Sequence, residues 1–454
     1  MRGGLEAMLQ VKEPTLLDKI EARQAVVGIC GLGYVGLPLA LTFGEKGFPV
    51  IGFDIDARKI SALEKGESYI RHIDPARIAK QNAREDKGFS ATMDFRKARD
   101  ADVLIMCVPT PLNANREPDM TYIEATARAI GPYVRSGQLV VLESSTYPGT
   151  TDEVVKPIVE QLSGLRAGID FHLAFSPERE DPGNPSFNTA TIPKVVGGFT
   201  KQCTELACAL YASAITKVVP VRGTREAELT KLLENIFRCV NIALVNELKL
   251  LCERMNIYVW EAIDAAKTKP FGFMAFYPGP GLGGHCIPVD PFYLSWKAKE
   301  FDFHTRFIEL AGEINNAMPY HVVDRTVEAL NEQGKSAKGA KVLILGLAYK
   351  KNIDDLRESP SIRLIELFRQ KGFEVEYHDP YCPKMKEMRH QPRYMLEMQS
   401  VPLEQGVEWA DVVVIATDHD SVDYQKLVRD AKLVVDSRNA TKNVTVGRDK
   451  IKSA

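Results

Sequence analysis

The chain has 454 residues, of which 45% are apolar and 26% charged, with a formal net charge of -2. That is an ordinary globular balance, long enough for roughly two to four domains. It offers no electrostatic case for nucleic acid or an acidic membrane as partner. Eight cysteines without a C-x-x-C pair are no disulfide scaffold, so a reducing cytoplasm is the expected setting. The first twenty residues carry Glu6, Lys12, Glu13, Asp18 and Lys19, and no signal peptide is expected.

The first strong pattern is "QAVVGICGLGYVGLPLALTFGEKGFPVIGFDID". It reads as a strand over Ala25–Cys30, a glycine turn, a helix to about Lys46, and a second strand ending at Asp54. The uncharged run Ala25–Phe43 is long enough for a membrane span, but its glycines, its proline and its strand–turn–helix pattern exclude one. Gly31, Gly33 and Gly36 have the G-x-G-x-x-G spacing, and Asp54 follows Gly31 by 23 residues. A strand before, a helix after and an acid at that distance define a dinucleotide-binding turn. Gly31 makes the turn, Gly33 admits the pyrophosphate, and Gly36 lets the helix pack. Asp54 would take the adenosine ribose hydroxyls, which favours NAD over NADP.

"ADVLIMCVPTP" and "GQLVVLESST" are continuous apolar runs ending in hydroxyl-bearing turns, as parallel strands covered on both faces are. "FHLAFSPERE" is a further strand ending at Ser176. From Arg225 to Thr268 the pattern is helical, with apolar residues from Leu229 to Leu251 at period 3.6 and no glycine or proline. A helix of that length crosses between domains or forms a subunit interface. A second helix is expected over Phe303–Met318, and "GKSAKG" (334–339) is a linker.

After the linker the chain repeats itself. "KVLILGLAYK" echoes "VVGICGLGYV", and "FEVEYHDP" echoes "FPVIGFDI", with Asp379 standing where Asp54 stood. "ADVVVIATDH" and "KLVVDSRNAT" echo the next two strands in order. The expected fold is therefore α/β. It has two Rossmann-like doubly wound domains joined by a long central helix and a helical middle domain. The boundaries are 21–216, 217–330 and 331–454. In the second copy Gly33 becomes Ala348 and Lys350 follows, a turn better suited to meeting a phosphate with a cation.

Between the helices lies "PGPGLGGHCIPVDP", Pro278–Pro291, a shaped loop presenting Cys286. Gly283 and Gly284 allow close approach of a ligand or of another backbone. Cys286 in this setting is a nucleophile if its thiolate is accessible, or a buried packing residue; spacing alone admits both. His285 is adjacent but points away in extended chain, and no further ligands stand at metal spacing, so no metal is expected. A nicotinamide cofactor beside a nucleophilic thiol fits oxidation of an alcohol through a thiohemiacetal and a thioester to an acid.

The motifs "GLGYVGLPLA", "CVPTP", "ESSTYPGTT", "SPERE", "AELTKLLEN", "GGHCIPVDP", "AYKKNIDDLRESPS" and "VVDSRNAT", in this order from about Gln24 to Thr441, resemble the UDP-glucose/GDP-mannose dehydrogenase family. "GGHCIP" is similar to the branch acting on UDP-N-acetylhexosamines. "SPEREDPGNP" and the loop around Cys286 are most similar to bacterial UDP-N-acetylglucosamine 6-dehydrogenases of O-antigen and capsule pathways. The resemblance implies oxidation of a UDP-sugar at its 6-hydroxymethyl to a uronate, with two NAD and one water; the cysteine usage points to the cytoplasm and the long helix to a homodimer or larger homo-oligomer.

It also implies roles. Cys286 is the nucleophile, Lys231 stabilises the oxyanion, Asn235 projects one turn further along the same helix face, Asp290 positions a water, and Glu178 is the base for thioester hydrolysis. Cofactor contacts fall to Gly31, Leu32, Gly33, Tyr34, Val35, Gly36, Asp54, Lys59, Thr110, Thr146 and Arg357. The nucleotide sugar falls to Arg179, Lys231, Asn235, Tyr277, Gly283, Lys350 and Arg438. Without the resemblance, Lys231 reads as a solvated helix residue, Glu178 as an acid at a helix start, and Arg438 as a surface charge. Two departures stand out: Val289 replaces a lysine and Pro182 replaces a second glutamate found in the UDP-glucose branch. The rival readings are the same family acting on UDP-N-acetylmannosamine, UDP-N-acetylgalactosamine or UDP-glucose, a two-electron dehydrogenase that needs no cysteine, and a non-catalytic NAD sensor with no reason to keep Cys286, Lys231 and Asn235 together.

Overall fold

The computed structural model describes residues 14–70, 73–84, 88–113, 117–179, 190–284, 287–385 and 397–454. Cys286 and His285 lie outside the described residues. The chain divides into two compact units, Met1–Leu232 and Leu233–Ala454. The boundary falls inside the helix Thr224–Arg254, here called the long helix.

The first unit is built on an eight-stranded sheet. Its strands are β1 (Val27–Cys30), β2 (Val50–Phe53), β3 (Phe89–Thr92), β4 (Val103–Met106), β5 (Leu139–Leu142), β6 (His172–Phe175), β7 (Lys194–Gly198) and β8 (Val218–Pro220). They lie in the order β3-β2-β1-β4-β5-β6-β7-β8. All neighbours are parallel except β6 and β7. The apolar runs are continuous because both faces are covered. Val27, Ile29, Val103, Ile105, Leu139 and Val141 face one core layer, and Cys30, Leu104, Met106, Val140 and Leu142 face the other. Cys30 is thus a small core residue, with its thiol pushed up to about 12 by burial. Each fully buried Val, Ile or Leu contributes about 1.5–3 kcal/mol.

The second unit repeats the theme. Its strands β9 (Lys341–Leu345), β10 (Glu374–His378), β11 (Val412–Ile415), β12 (Val434–Asp436) and β13 (Ile451–Ser453) form a parallel sheet in the order β10-β9-β11-β12-β13. Again odd and even positions divide between two layers: Val342, Ile344, Val412 and Val414 on one, Leu343, Leu345, Val413 and Ile415 on the other. The α/β reading and the internal repeat are borne out.

The helices differ from expectation in detail. The helical stretch expected over Arg225–Thr268 is two helices, the long helix and Val259–Lys267, separated at Asn256, which has a positive φ of 55°. The helix expected to end at Met318 runs Arg306–Glu332 with Pro319 inside. Proline removes the donor to the carbonyl four residues back, here Asn315, and a Cβ at Gly281 would lie 3.6 Å from that oxygen. Among the described residues no helix is long and apolar enough to cross a membrane.

Candidate active site

In the first unit the three glycines do different things. Gly31 has φ 97°, and a Cβ there would lie 2.3 Å from the Cys107 carbonyl oxygen beyond β4. A Cβ at Gly36 would lie 1.8 Å from the Gly31 oxygen, so only glycine lets the helix Gly36–Glu45 start against the turn. A Cβ at Gly33 would meet no protein atom within 4 Å. That backbone is open to a pyrophosphate, as a dinucleotide requires. Leu32 is fully buried, whereas Tyr34 is exposed and Val35 caps the helix.

Asp54, at the end of β2, is buried and already engaged. Its Oδ2 accepts from the Leu32 amide at 2.9 Å and from Lys59 Nζ at 2.8 Å, and Oδ1 accepts from the Asp56 amide at 2.9 Å. It holds the turn through these contacts. Thr110 donates to the Ser145 carbonyl at 2.5 Å, and the Thr146 and Thr150 hydroxyls share a hydrogen bond at 2.5 Å. Both hydroxyls sit at the C-terminal ends of neighbouring strands, where open α/β sheets bind ligands.

Lys231, two turns into the long helix, is 3% exposed and no solvated surface residue. Its Nζ pairs with Glu178 Oε2 at 3.2 Å. Glu178 lies in the coil after β6, so it is not the first-turn acid of a helix. Its neighbour Arg179 donates to the Pro193 carbonyl at 2.6 Å. Glu178 and Arg179 share a cavity with Glu143 and Lys194. Glu143 is paired with Lys194 and accepts from Tyr211 OH at 2.6 Å. No local pattern marks this buried triad, because Glu143 and Lys194 stand 51 residues apart.

In the second unit Asn235 and Asp290 are fully buried and joined, Asn235 Nδ2 donating to Asp290 Oδ2 at 2.5 Å. Arg238 donates to the other end of the Asn235 amide, which fixes its orientation. Asp290 opens the helix Asp290–Ala298 with Pro291 next, where the Gly/Pro pattern predicts loop. The glycine loop is anchored by Asn246, whose Oδ1 accepts the Gly279 amide at 3.0 Å and whose Nδ2 donates to Asn315 at 2.9 Å. Neither asparagine carried a signal in sequence beyond being polar on a helix.

The room left by the glycines is taken by the protein's own side chains. A Cβ at Gly283 would lie 2.4 Å from Tyr349 Cβ, one at Gly284 2.9 Å from the Tyr349 ring, and one at Gly279 2.7 Å from Arg438 Nη1. The Gly284 amide donates to the Arg357 carbonyl at 3.0 Å. The Arg357 guanidinium itself is held by Asp355, Nη2 to Oδ2 at 2.7 Å. Arg438 is half-buried, not a surface charge; its Nε donates to the Ala416 carbonyl at 3.1 Å beyond β11. Lys350 lies on the turn after β9 beside Tyr349. Tyr277 stacks on Trp260 at 5.7 Å and donates to Asp264 at 2.7 Å. The loop's other expected residue, Cys286, lies outside the described residues.

A dinucleotide turn with an acid at the second strand, followed by a second, altered copy of the same domain, defines an NAD-dependent dehydrogenase of nucleotide sugars. Three family descriptions match the chain in order. UDP-glucose/GDP-mannose dehydrogenase family, NAD binding domain, covers residues 25–215; the central domain covers 225–317; the UDP binding domain covers 343–443. The chain belongs to the UDP-glucose/GDP-mannose dehydrogenase family. It is 36% identical to UDP-N-acetyl-D-mannosamine dehydrogenase of Pyrococcus horikoshii over 93% of this chain and 97% of that one. It is 37% identical to UDP-N-acetyl-D-glucosamine 6-dehydrogenase of Pseudomonas aeruginosa over 78% of this chain and 82% of that one. The solved structure of the Pyrococcus horikoshii enzyme has a TM-score of 0.85 at 34% identity, covering 94% of this chain and 98% of that one.

Proposed function

We propose that the protein oxidises a UDP-N-acetylhexosamine, UDP-N-acetyl-D-glucosamine first among them, at the 6-hydroxymethyl to the uronic acid, for O-antigen or capsule synthesis. The relatives that act on N-acetylhexosamines support the class. The observation that carries the chemistry is the buried Lys231–Glu178 pair at 3.2 Å. A cation here stabilises the oxygen as it becomes anionic, first on the alcohol and then in the tetrahedral intermediates. The paired carboxylate is suited to take the proton of the attacking water in the hydrolytic half.

The Gly31–Gly36 turn would hold NAD, and two NAD molecules bound there in succession would supply the hydride acceptors for the alcohol and then for the captured aldehyde. Cys286 adds to the aldehyde carbonyl to give the thiohemiacetal, and loss of the second hydride leaves a thioester. Water releases the acid and returns the thiol. Asn235 and Asp290 are the positioning pair for that water or for the 6-oxygen. Lys350 and Arg438 are the cations for the UDP moiety. The three-part organisation, 21–216, 217–330 and 331–454, follows the same reading. The exposed apolar stripe Leu233, Phe237, Leu244, Leu248 and Leu251 on the long helix supports a homodimer, because a helix stripe is self-complementary across a two-fold axis.

The test is a substrate panel of UDP-N-acetylglucosamine, its manno and galacto epimers, and UDP-glucose. It reads NADH yield and product mass. Two NADH and a product from UDP-N-acetylglucosamine with one oxygen gained and two hydrogens lost support the reading. Preference for another sugar reassigns the substrate, and one NADH with free aldehyde removes the covalent route.

A further inference from the structure

The residue just upstream of Lys231 on the same helix face is Glu228, and it is fully buried. Its carboxylate is filled by the loop that follows Thr146. Oε2 accepts from the Gly149 amide at 2.6 Å; Oε1 accepts from the Thr151 amide at 2.9 Å and from Thr151 Oγ1 at 2.7 Å. Gly149 has φ 105°, which turns its amide toward the carboxylate in a conformation that favours glycine. Thr150 between them bonds Thr146 at 2.5 Å. The first turn of the long helix ties to the same segment, Thr224 Oγ1 to Asp152 at 2.8 Å and Arg225 to Glu153 at 3.1 Å.

We propose that Glu228 is a positioning residue that locks the helix carrying Lys231 to the loop carrying Thr146, so that the oxyanion cation and the cofactor-contacting hydroxyl share one frame. This rests on the roles given above to Lys231 and Thr146. All three donors need an acceptor, which an ionised carboxylate supplies and a carboxylic acid or an amide supplies only in part. Burial pushes the Glu228 carboxyl up to about 7, with Asp152 adding to the rise and the Thr151 and Gly149 donors opposing it. The charged groups around it are Asp152 and Glu153 on the segment it caps, and Arg225 and Lys231 on its own helix. The clamp therefore loosens as pH falls through about 7.

The experiment compares wild type, Glu228→Gln, Thr151→Val, the double variant and Lys231→Met for kcat, KM for NAD and pH profile. In Glu228→Gln the amide NH₂ faces the Gly149 donor. A displacement of about 1 Å in such a frame lowers turnover on the order of 100-fold. The expected results are that loss in kcat with two NADH per sugar retained, a raised KM for NAD, and disappearance of the wild-type acid limb. Thr151→Val is expected to lower kcat less, and the double variant to be no worse than Glu228→Gln alone. A Glu228→Gln enzyme within twofold of wild type at all pH, or losses that multiply in the double variant, overturns the proposal. If Glu228→Gln does not fold, Thr151→Val decides: an unchanged kcat and acid limb overturn it. Lys231→Met with normal turnover overturns the assignment of Lys231 itself, whereas a dead Lys231→Met beside a normal Glu228→Gln sinks the positioning role alone.

Discussion

Asp379 accepts the backbone amide of Leu347 at 2.6 Å, the second sheet's copy of the contact that Asp54 makes with Leu32 at 2.9 Å. The two acids then diverge. Asp379 also takes the Ala348, Tyr381 and Cys382 amides and His419 Nε2, and both it and His419 are fully buried. The Asn352 amide donates to His419 Nδ1 at 3.0 Å, so the ring proton sits on Nε2. The repeat thus makes of the equivalent acid an internal staple. It holds the turn that bears Tyr349 and Lys350 and has no acceptor left for a second dinucleotide.

His419→Leu removes both ends of that staple. It is expected to lower stability by about 2–4 kcal/mol and to raise KM for the UDP-sugar more than KM for NAD. Burial opposes charge on Asp379, yet the His419 hydrogen bond and the Ala348 and Leu347 amides hold its carboxyl below the ordinary range. A depressed acid stabilises the fold above its unfolded value and loses that contribution as pH falls through the folded one. The gap between wild type and variant should therefore narrow in acid. Urea unfolding at neutral pH and well below the ordinary aspartate range, at about pH 2.5, checks this; an equal gap at both refutes it.

Asp54 carries two tasks, so the choice of substitution matters. Asp54→Asn keeps an oxygen for the Leu32 amide but leaves Lys59 without its anion and weakens the ribose contact. A hydrogen bond to a charged group contributes about 1.5–3 kcal/mol, which is roughly a 10- to 100-fold rise in KM for NAD. kcat should change little. Initial-rate kinetics with NAD and NADP provide the check, and a wild-type enzyme that prefers NADP refutes the role.

Much of this was legible because the signals were local. Gly31, Gly33, Gly36 and Asp54 sit in one strand–turn–helix–strand stretch, and the apolar runs of β4, β5 and β11 declare strands covered on both faces. What was not legible depends on contacts between distant segments. Glu143 and Lys194 look like ordinary surface charges until β5 and β7 bring them together. Asn246 and Asn315 become a loop anchor only when their helices pack. Pro319 argues for a helix end by local rules, but packing of Met318 and Val322 on either side carries the helix through it. Asp290 sits so close to proline and glycine that its helix start was hidden in the loop pattern.

The apolar stripe of the long helix makes a prediction about assembly. Leu233 is 62% exposed, and Phe237, Leu244, Leu248 and Leu251 are exposed with it. A stripe of this kind on a free monomer is an aggregation hazard, and pairing with a second copy buries it. Leu248→Asp should shift the mass measured by light scattering toward the monomer while leaving the fold intact by circular dichroism. A wild-type monomer at micromolar concentration would count against the pairing.

The last prediction concerns Cys286. A serine at this position matches the cysteine closely in size, so binding of NAD and the UDP-sugar should survive. Chemistry should not. A serine hydroxyl is little ionised at neutral pH and attacks the aldehyde weakly, whereas a thiol near its ordinary value is a few per cent thiolate and intrinsically more nucleophilic. Any ester formed also hydrolyses more slowly than a thioester, because an alkoxide leaves less readily than a thiolate. Cys286→Ser is thus expected to lose several orders of magnitude in kcat, since the covalent and positioning contributions fall together. A covalent adduct that accumulates adds the mass of the UDP-uronyl group to the intact protein. Steady-state turnover beside calorimetric titration with UDP-N-acetylglucosamine makes the measurement. Binding retained with turnover lost supports the thioester route. Near-normal turnover in Cys286→Ser would make this cysteine a packing residue and leave oxidation to proceed without covalent capture.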